Sequence, residues 1–333
     1  MLESIRPTQG ECVDVRRAGV LLGLLLTVGC GAATTHPPSP APSGTAATAS
    51  AAPPAGPYVA LGDSYTSGLQ IEPQVGTPPG CARSGVNYPS LVAKALGLAG
   101  GAFTDASCSG ARTRDLTGAQ RTDGGTNAPQ LDALAPAIRL VTLGIGGNDA
   151  GFIDVIGQCA KESVKQTLLA DLTRTPAAES PCRTYYTAEN GQDQVQRKVD
   201  AAGERLADAL REVRRRAPQA KVYVVGYPAL LPADAAACTA TLGRSVPAGD
   251  IAFLVEKERQ LNAMLRQRAE AAGVGYVDTF AASAGHDMCA GESTRWVEPP
   301  FPAAGLAPVH PNARGQQGMA AAVLRTLGAG GRP

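Results

Sequence analysis

From residue 58 onward, short apolar runs alternate with longer amphipathic stretches. YVALGD (58–63), AFTDASC (102–108), IRLVTLGIGG (138–147), KVYVVGYP (221–228) and GVGYVDTF (273–280) are short, rich in Val, Leu, Ile and Tyr, and bounded by Gly, Pro or Asp, which predicts strands. Between and after them lie NYPSLVAKALGL (87–98), a segment over 193–218, another over 250–273 and a last one over 312–328. The 193–218 segment places Val195, Val199, Ala202, Leu206, Ala209, Leu210 and Val213 on one helical face, with Arg and Glu elsewhere. Strands apolar on both faces that alternate with amphipathic helices predict an α/β fold, a three-layer α/β/α sandwich around a mostly parallel five-stranded sheet. The irregular stretches near 70–87, 159–190 and 231–249 are expected to be loops laid over this one domain.

Residues 1–57 follow a different pattern. Arg16-Arg17 precede an apolar stretch over 18–28, too short to span a bilayer and of the length of a secretory h-region. Residues 1–30 are therefore expected to be a leader of signal or lipoprotein type. Cys30 is the candidate lipidated cysteine and would anchor the chain at a membrane. The usual Leu three places before such a cysteine is here Thr27, so cleavage and release is the competing reading. Residues 31–57 are Ala, Pro, Ser and Thr with almost no large apolar side chain, the composition of a disordered tether. The folded domain is expected over 58–330, with the protein secreted or held at the cell envelope.

Composition removes several function classes. Lys and Arg total 30 against 29 Asp and Glu in 333 residues, without the basic excess that nucleic-acid binding requires. The one basic run, Arg214-Arg215-Arg216, ends a predicted helix, where cations complement the dipole. Outside the leader stand Cys81, Cys108, Cys159, Cys182, Cys238 and Cys289, an even set that predicts three disulfides in an oxidising compartment, with fifteen pairings open. His286 and Cys289 are too few for a structural zinc site, and no metal or organic cofactor is expected.

In sheets of this kind ligands bind beyond the carboxyl ends of the strands. Three predicted strands end there in Gly62-Asp63-Ser64, in Ser107-Cys108-Ser109-Gly110 and in Gly144-Ile145-Gly146-Gly147-Asn148-Asp149. A hydroxyl, a glycine turn and a side-chain amide are the parts of an acyl-transfer site. A serine needs a base, and the only histidines are His36, His286 and His310. His36 falls in the tether and His286 beside a disulfide cysteine. His310 stands just before an Asn-capped amphipathic helix, which makes it the candidate base. The GIGGND string lacks the third glycine of a dinucleotide-binding turn, having Asp149 in its place.

Ser64 in GDSYTSG, Gly110 in CSGART, Asn148 in GIGGNDAGF and His310 in HPNARGQQ together resemble the four blocks of the GDSL lipase/esterase family, the SGNH hydrolases. The resemblance runs from Tyr58 to about Leu327. It implies a serine ester hydrolase in which Ser64 forms an acyl-enzyme and His310 is the general base. The Ser64 N–H, the Gly110 N–H and the Asn148 amide would hold the oxyanion, while Asp63 fixes the turn. Many members carry Asp three residues before the histidine, and this chain has Ala307 there. The secreted actinobacterial branch implies a Ser-His dyad with the Ala307 carbonyl orienting the imidazole, and the pairing Cys81–Cys108, Cys159–Cys182 and Cys238–Cys289.

The resemblance leaves the substrate open between lipid-type acyl esters, favoured here, and acetyl esters of glycans. A silent relative that only binds envelope lipid or glycan is the other alternative. Trp296 and Phe301 either line the acyl side or belong to the core. A monomer is expected.

Overall fold

The computed structural model describes residues 56–188, 191–243 and 246–329; the leader, most of the tether, Cys30 and His36 lie outside the described residues. Strands β1 (Tyr58–Gly62), β2 (Phe103–Asp105), β3 (Leu140–Gly144), β4 (Lys221–Val225) and β5 (Gly275–Val277) form one parallel sheet in the order β2-β1-β3-β4-β5. The chain leaves β1 for β2 on one side and then crosses to β3 on the other. That reversal opens a crevice at the carboxyl ends of β1 and β3.

The helices that matter for the site are α1 (Ser64–Ser67), α2 (Tyr88–Ala95), α3 (Gly147–Ala150), α4 (Phe152–Thr173), α5 (Pro181–Thr187), α6 (Gln194–Arg216), α7 (Ala248–Ala271) and α8 (Ala313–Thr326). Alternate strand residues serve two cores. Val59, Leu61, Val141, Leu143, Val222 and Val224 pack with residues of α4, α6 and α7, whereas Tyr58, Ala60, Leu140, Val225 and Val277 pack with α2 and α8. This is the three-layer α/β/α sandwich, with the period-two alternation of a strand deciding which layer each side chain joins. Inside it the Tyr58 hydroxyl is satisfied by Thr142 Oγ1 at 2.7 Å.

All seven residues of the predicted α6 stripe are buried. At its start the Asp193 side chain accepts from the Val195 and Gln196 amides. At its end Arg215 and Arg216 bind Glu212, and Arg216 also reaches Asp132, so the basic run is a helix terminus. The stretch 159–190 departs from expectation, because helix α4 runs on to Thr173 and α5 follows it. Only Phe152, Val155, Cys159 and Ser163 of α4 are buried. Its later apolar residues face outward, so the stripe that marks a core-packed helix is missing from the sequence pattern.

Three disulfides join Cys81 to Cys108, Cys159 to Cys182 and Cys238 to Cys289. The first ties the 70–87 loop to the end of β2, and the second pins α4 to α5. None lies within a strand of the sheet.

The ends of β1 and β3 are level, with Gly62 opposite Gly144. A Cβ on Gly62 would stand 2.2 Å from Thr66 Oγ1 and 2.5 Å from the Gly144 carbonyl, so the closeness requires glycine. Gly62→Ala is therefore expected to lower stability by about 1–3 kcal/mol through overpacking. A urea titration checks this, and an unchanged midpoint would contradict it.

Candidate active site

Asp63 turns the chain at the end of β1. Its N–H donates to the Gly144 carbonyl at 3.1 Å, which stitches the corner to β3. Its Oδ1 accepts from the Tyr65 amide at 3.0 Å, capping α1 and leaving Ser64 as the first helical residue. Ser64 Oγ lies 2.8 Å from His310 Nε2, across 246 residues of sequence.

His310 is delivered by the segment leading into α8. Asn312 caps that helix by accepting from the Gly315 amide at 3.0 Å. An antiparallel bridge between Val297 and Pro311 holds the segment, together with bonds from Val309 N–H to the Glu298 carbonyl and from Glu298 N–H to the His310 carbonyl. Val309 has φ +59°, a strained conformation for a β-branched residue. The Tyr65 hydroxyl donates to the Val309 carbonyl at 2.5 Å, so the residue after Ser64 grips the residue before His310.

The ring has a defined tautomer. Nδ1 lies 2.7 Å from the Pro308 carbonyl, which can only accept, so Nδ1 bears the proton and Nε2 offers its lone pair to Ser64. The expectation for Ala307 is thereby corrected. Its carbonyl accepts from the His310 backbone N–H at 3.3 Å, and the imidazole is held by the next carbonyl, that of Pro308. The turn directs the Ala307 oxygen at the main chain and the Pro308 oxygen at the ring. Burial lowers the His310 pKa below the usual histidine value, partly countered by the Pro308 bond.

The second and third blocks are tied together. Asn148 Nδ2 donates to the Ala111 carbonyl at 3.0 Å, while Asp149 accepts from the Thr113 amide at 2.9 Å and hydroxyl at 2.6 Å. Asn148 lines the same pocket as Ser64. Gly110 has φ +74° and does not line that pocket; it lies two residues after Cys108, whose N–H donates to the Gly62 carbonyl at 3.0 Å. The N–H groups of Ser64 and Gly110 donate to no protein acceptor among the described residues. His286 is engaged elsewhere, with Nδ1 on the Thr294 carbonyl and its ring stacked on Trp296. Neither Trp296 nor Phe301 lines the pocket: Trp296 packs on α8, and Phe301 is 95% exposed.

The pocket, about 390 Å³ including its open mouth, has apolar walls of Phe152, Ile153, Leu230 and Leu261. Two of its polar residues were not singled out from the sequence. The Tyr227 hydroxyl donates to Asp63 Oδ2 at 2.6 Å and accepts from the Gly147 amide at 2.8 Å, joining the first and third blocks. Burial pushes the Asp63 carboxyl up to about 7, against the bonds from Tyr227 and Tyr65. The signal for Tyr227 was present, since GYP follows the end of β4 in the same crevice. Glu258, in the middle of α7, gave no such signal. It is buried, with Oε1 accepting from the Leu230 amide at 2.7 Å and Oε2 without a protein partner. Burial holds its carboxyl well above the usual range. No cluster of three or more His, Cys, Asp or Glu able to hold a metal occurs among the described residues.

A serine hydroxyl bonded to an oriented neutral imidazole, at the strand ends of an α/β/α sheet and beside an apolar pocket, defines the class of serine-type ester hydrolases. The sequence pattern of the GDSL-like Lipase/Acylhydrolase family matches residues 60–317, and the chain belongs to that family and is a carboxylic ester hydrolase. It is 39% identical over 290 residues to Lipase 2 of Streptomyces coelicolor, covering 85% of this chain and 91% of that one. An esterase of Streptomyces scabiei is 29% identical over 266 residues, 75% of this chain and 76% of that one. Among solved structures, phospholipase A1 of Streptomyces albidoflavus superposes with a TM-score of 0.62 at 30% identity, covering 83% of this chain and all of that one. The extracellular lipase of Streptomyces rimosus gives 0.61 at 28% identity, with 83% and 100% covered.

Tyr227→Phe removes both hydroxyl bonds and leaves the Gly147 amide and Asp63 Oδ2 unpaired. It is expected to cost about 1–3 kcal/mol of stability and to lower kcat more than it raises KM, as steady-state kinetics and urea unfolding will show. For Glu258 the folded state binds its proton more tightly than the unfolded chain. Stability is thus lost as pH rises from the ordinary glutamate value toward the raised one. Glu258→Gln keeps the acceptor for Leu230 and cannot ionise, so its urea midpoint should fall less than wild type between pH 5 and pH 8.

Proposed function

We propose that Ser64 and His310 form the catalytic dyad of an acyl-ester hydrolase acting on lipid-type esters outside the cytoplasm. The observation behind this reading is the 2.8 Å contact between Ser64 Oγ and an imidazole whose other nitrogen is held by a carbonyl. In the first half-reaction His310 Nε2 takes the hydroxyl proton as Ser64 Oγ bonds to the ester carbonyl carbon. The resulting oxyanion is held by the free N–H groups of Ser64 and Gly110 and by the second Nδ2 proton of Asn148. The imidazolium then returns the proton to the departing alkoxide, leaving Ser64 acylated. Water repeats the sequence to release the acid. The serine's proton leaves on the alcohol and a proton from the water replaces it, so the dyad ends as it began and balances the reaction.

Lipid-type acyl chains are supported by the pocket walls Phe152, Ile153, Leu230 and Leu261, and by relatives named as lipases and a phospholipase A1. Work outside the cytoplasm is supported by three disulfides and by the leader pattern at 16–28. Cys30 is the anchoring residue if the leader is processed as a lipoprotein's, and all the proposed site residues come from one chain.

Ser64→Ala is expected to lower kcat on p-nitrophenyl butyrate on the order of 10³-fold or more while the far-UV spectrum is retained. Because His310 must be neutral to act and its pKa lies below the histidine norm, kcat/KM should rise with pH to a plateau already reached at neutrality. A serine variant as active as wild type would reject the dyad. Hydrolysis of acetylated xylan with none of longer p-nitrophenyl esters would move the substrate to glycans.

A further inference from the structure

Helix α4 begins in the pocket and ends in solvent. Its first two residues, Phe152 and Ile153, line the pocket beside Ser64. Its last buried residue is Ser163, whose hydroxyl donates to Asp250 on α7 at 2.7 Å. Beyond that point Val164 is 47% exposed, Leu168 58%, Leu169 47% and Leu172 83%. With Ile153 these make five of the eight large apolar side chains exposed among the described residues, so the exposure is concentrated on one helix. Val164, Leu168 and Leu172 recur every four residues and share a face. The shallow groove there is lined by Ala160, Lys161, Val164, Lys165, Leu168, Leu169 and Leu172, all from α4 itself.

We propose that this outward face of α4 docks the enzyme on a lipid surface, with Leu168, Leu169 and Leu172 entering the acyl boundary and Lys161 and Lys165 meeting the head groups. The proposal rests on the ester-hydrolase reading of the adjoining pocket and adds where its substrate is met. Three observations favour lipid over other occupants. Ile153 on the pocket wall lies eleven residues, about 16 Å, before Val164 on nearly the same face of the helix, so docking this face brings the pocket mouth toward the source of acyl chains. The two lysines border the leucines, an arrangement in which long stems lie along apolar matter while the ammonium groups stay with phosphate. Of the acids on the helix, Glu162 is held by Lys165 at 3.5 Å and by Gln158 at 3.0 Å, while Asp154 and Asp171 lie near the two ends. The third observation is size. The ten residues from Val164 to Thr173 extend about 15 Å. Over a helix width of about 10 Å they offer about 150 Å², far below the roughly 800 Å² per partner of a stable protein interface. The helix is also firmly mounted, because Cys159 pins it to Cys182 one turn before the exposed part begins.

The test uses the full chain, wild type and Leu168→Ser with Leu172→Ser, and two readouts. The first is co-sedimentation with vesicles of equal parts phosphatidylcholine and phosphatidylglycerol. The second is hydrolysis of p-nitrophenyl butyrate as a dissolved monomer. The double variant should bind vesicles about tenfold more weakly or worse and cleave the dissolved ester at the wild-type rate, which also shows that it folds. Lys161→Gln with Lys165→Gln should weaken binding to these vesicles more than to pure phosphatidylcholine. Equal vesicle binding by wild type and the leucine variant overturns the proposal, as does a wild type that does not bind. A dimer in light scattering that dissociates in the leucine variant overturns it in favour of a second copy. If wild type cleaves no dissolved ester, the hydrolase reading fails separately, while sedimentation still reports on docking.

Discussion

The level ends of β1 and β3 are the constraint on which the site depends. Gly62 and Gly144 face each other because neither has a side chain, and the Asp63 amide can therefore reach the Gly144 carbonyl. The same alignment sets Ser64 at the head of α1 and Asn148 within α3, one on each side of the crevice. Parallel strands make this possible, since they deliver all their carboxyl ends to one edge.

Bonds that span long stretches of sequence then hold the corners in place. Tyr227 joins Asp63 to Gly147, Asn148 and Asp149 join the third block to the second, and Gln316 ties α8 to both α1 and α2 through Tyr65 and Tyr88. Gln130 closes the end of β1 by both accepting from and donating to Gly62. All of these polar side chains are paired, and Tyr227, Gln130 and Gln316 are buried as well, so each adds position as well as stability. The cost of such packing appears at Glu258, whose second oxygen has no protein partner.

Much of this was legible in the sequence. The five strands, the α6 stripe and the strand-end location of three blocks follow from periodicity and turn residues, because local backbone preference and burial agree there. His310 followed from there being few histidines to choose among. Gln130 and Gln316 were not legible, since a buried glutamine looks like any other until tertiary contacts give it partners. The Ala307 expectation failed for a related reason: which of two successive carbonyls faces a ring is decided by a turn's dihedral angles. Helix α4 was missed because the cue for a packed helix is an inward apolar stripe, and this one lies outside.

The acceptor that orients the imidazole belongs to the main chain of a proline. No substitution of a side chain can delete an oxygen that every amino acid possesses, so an alanine scan would pass over this element of the dyad entirely. The inheritance of such a site is in the path of the backbone, and insertions or deletions between Pro299 and His310 are the changes to which it is genetically vulnerable.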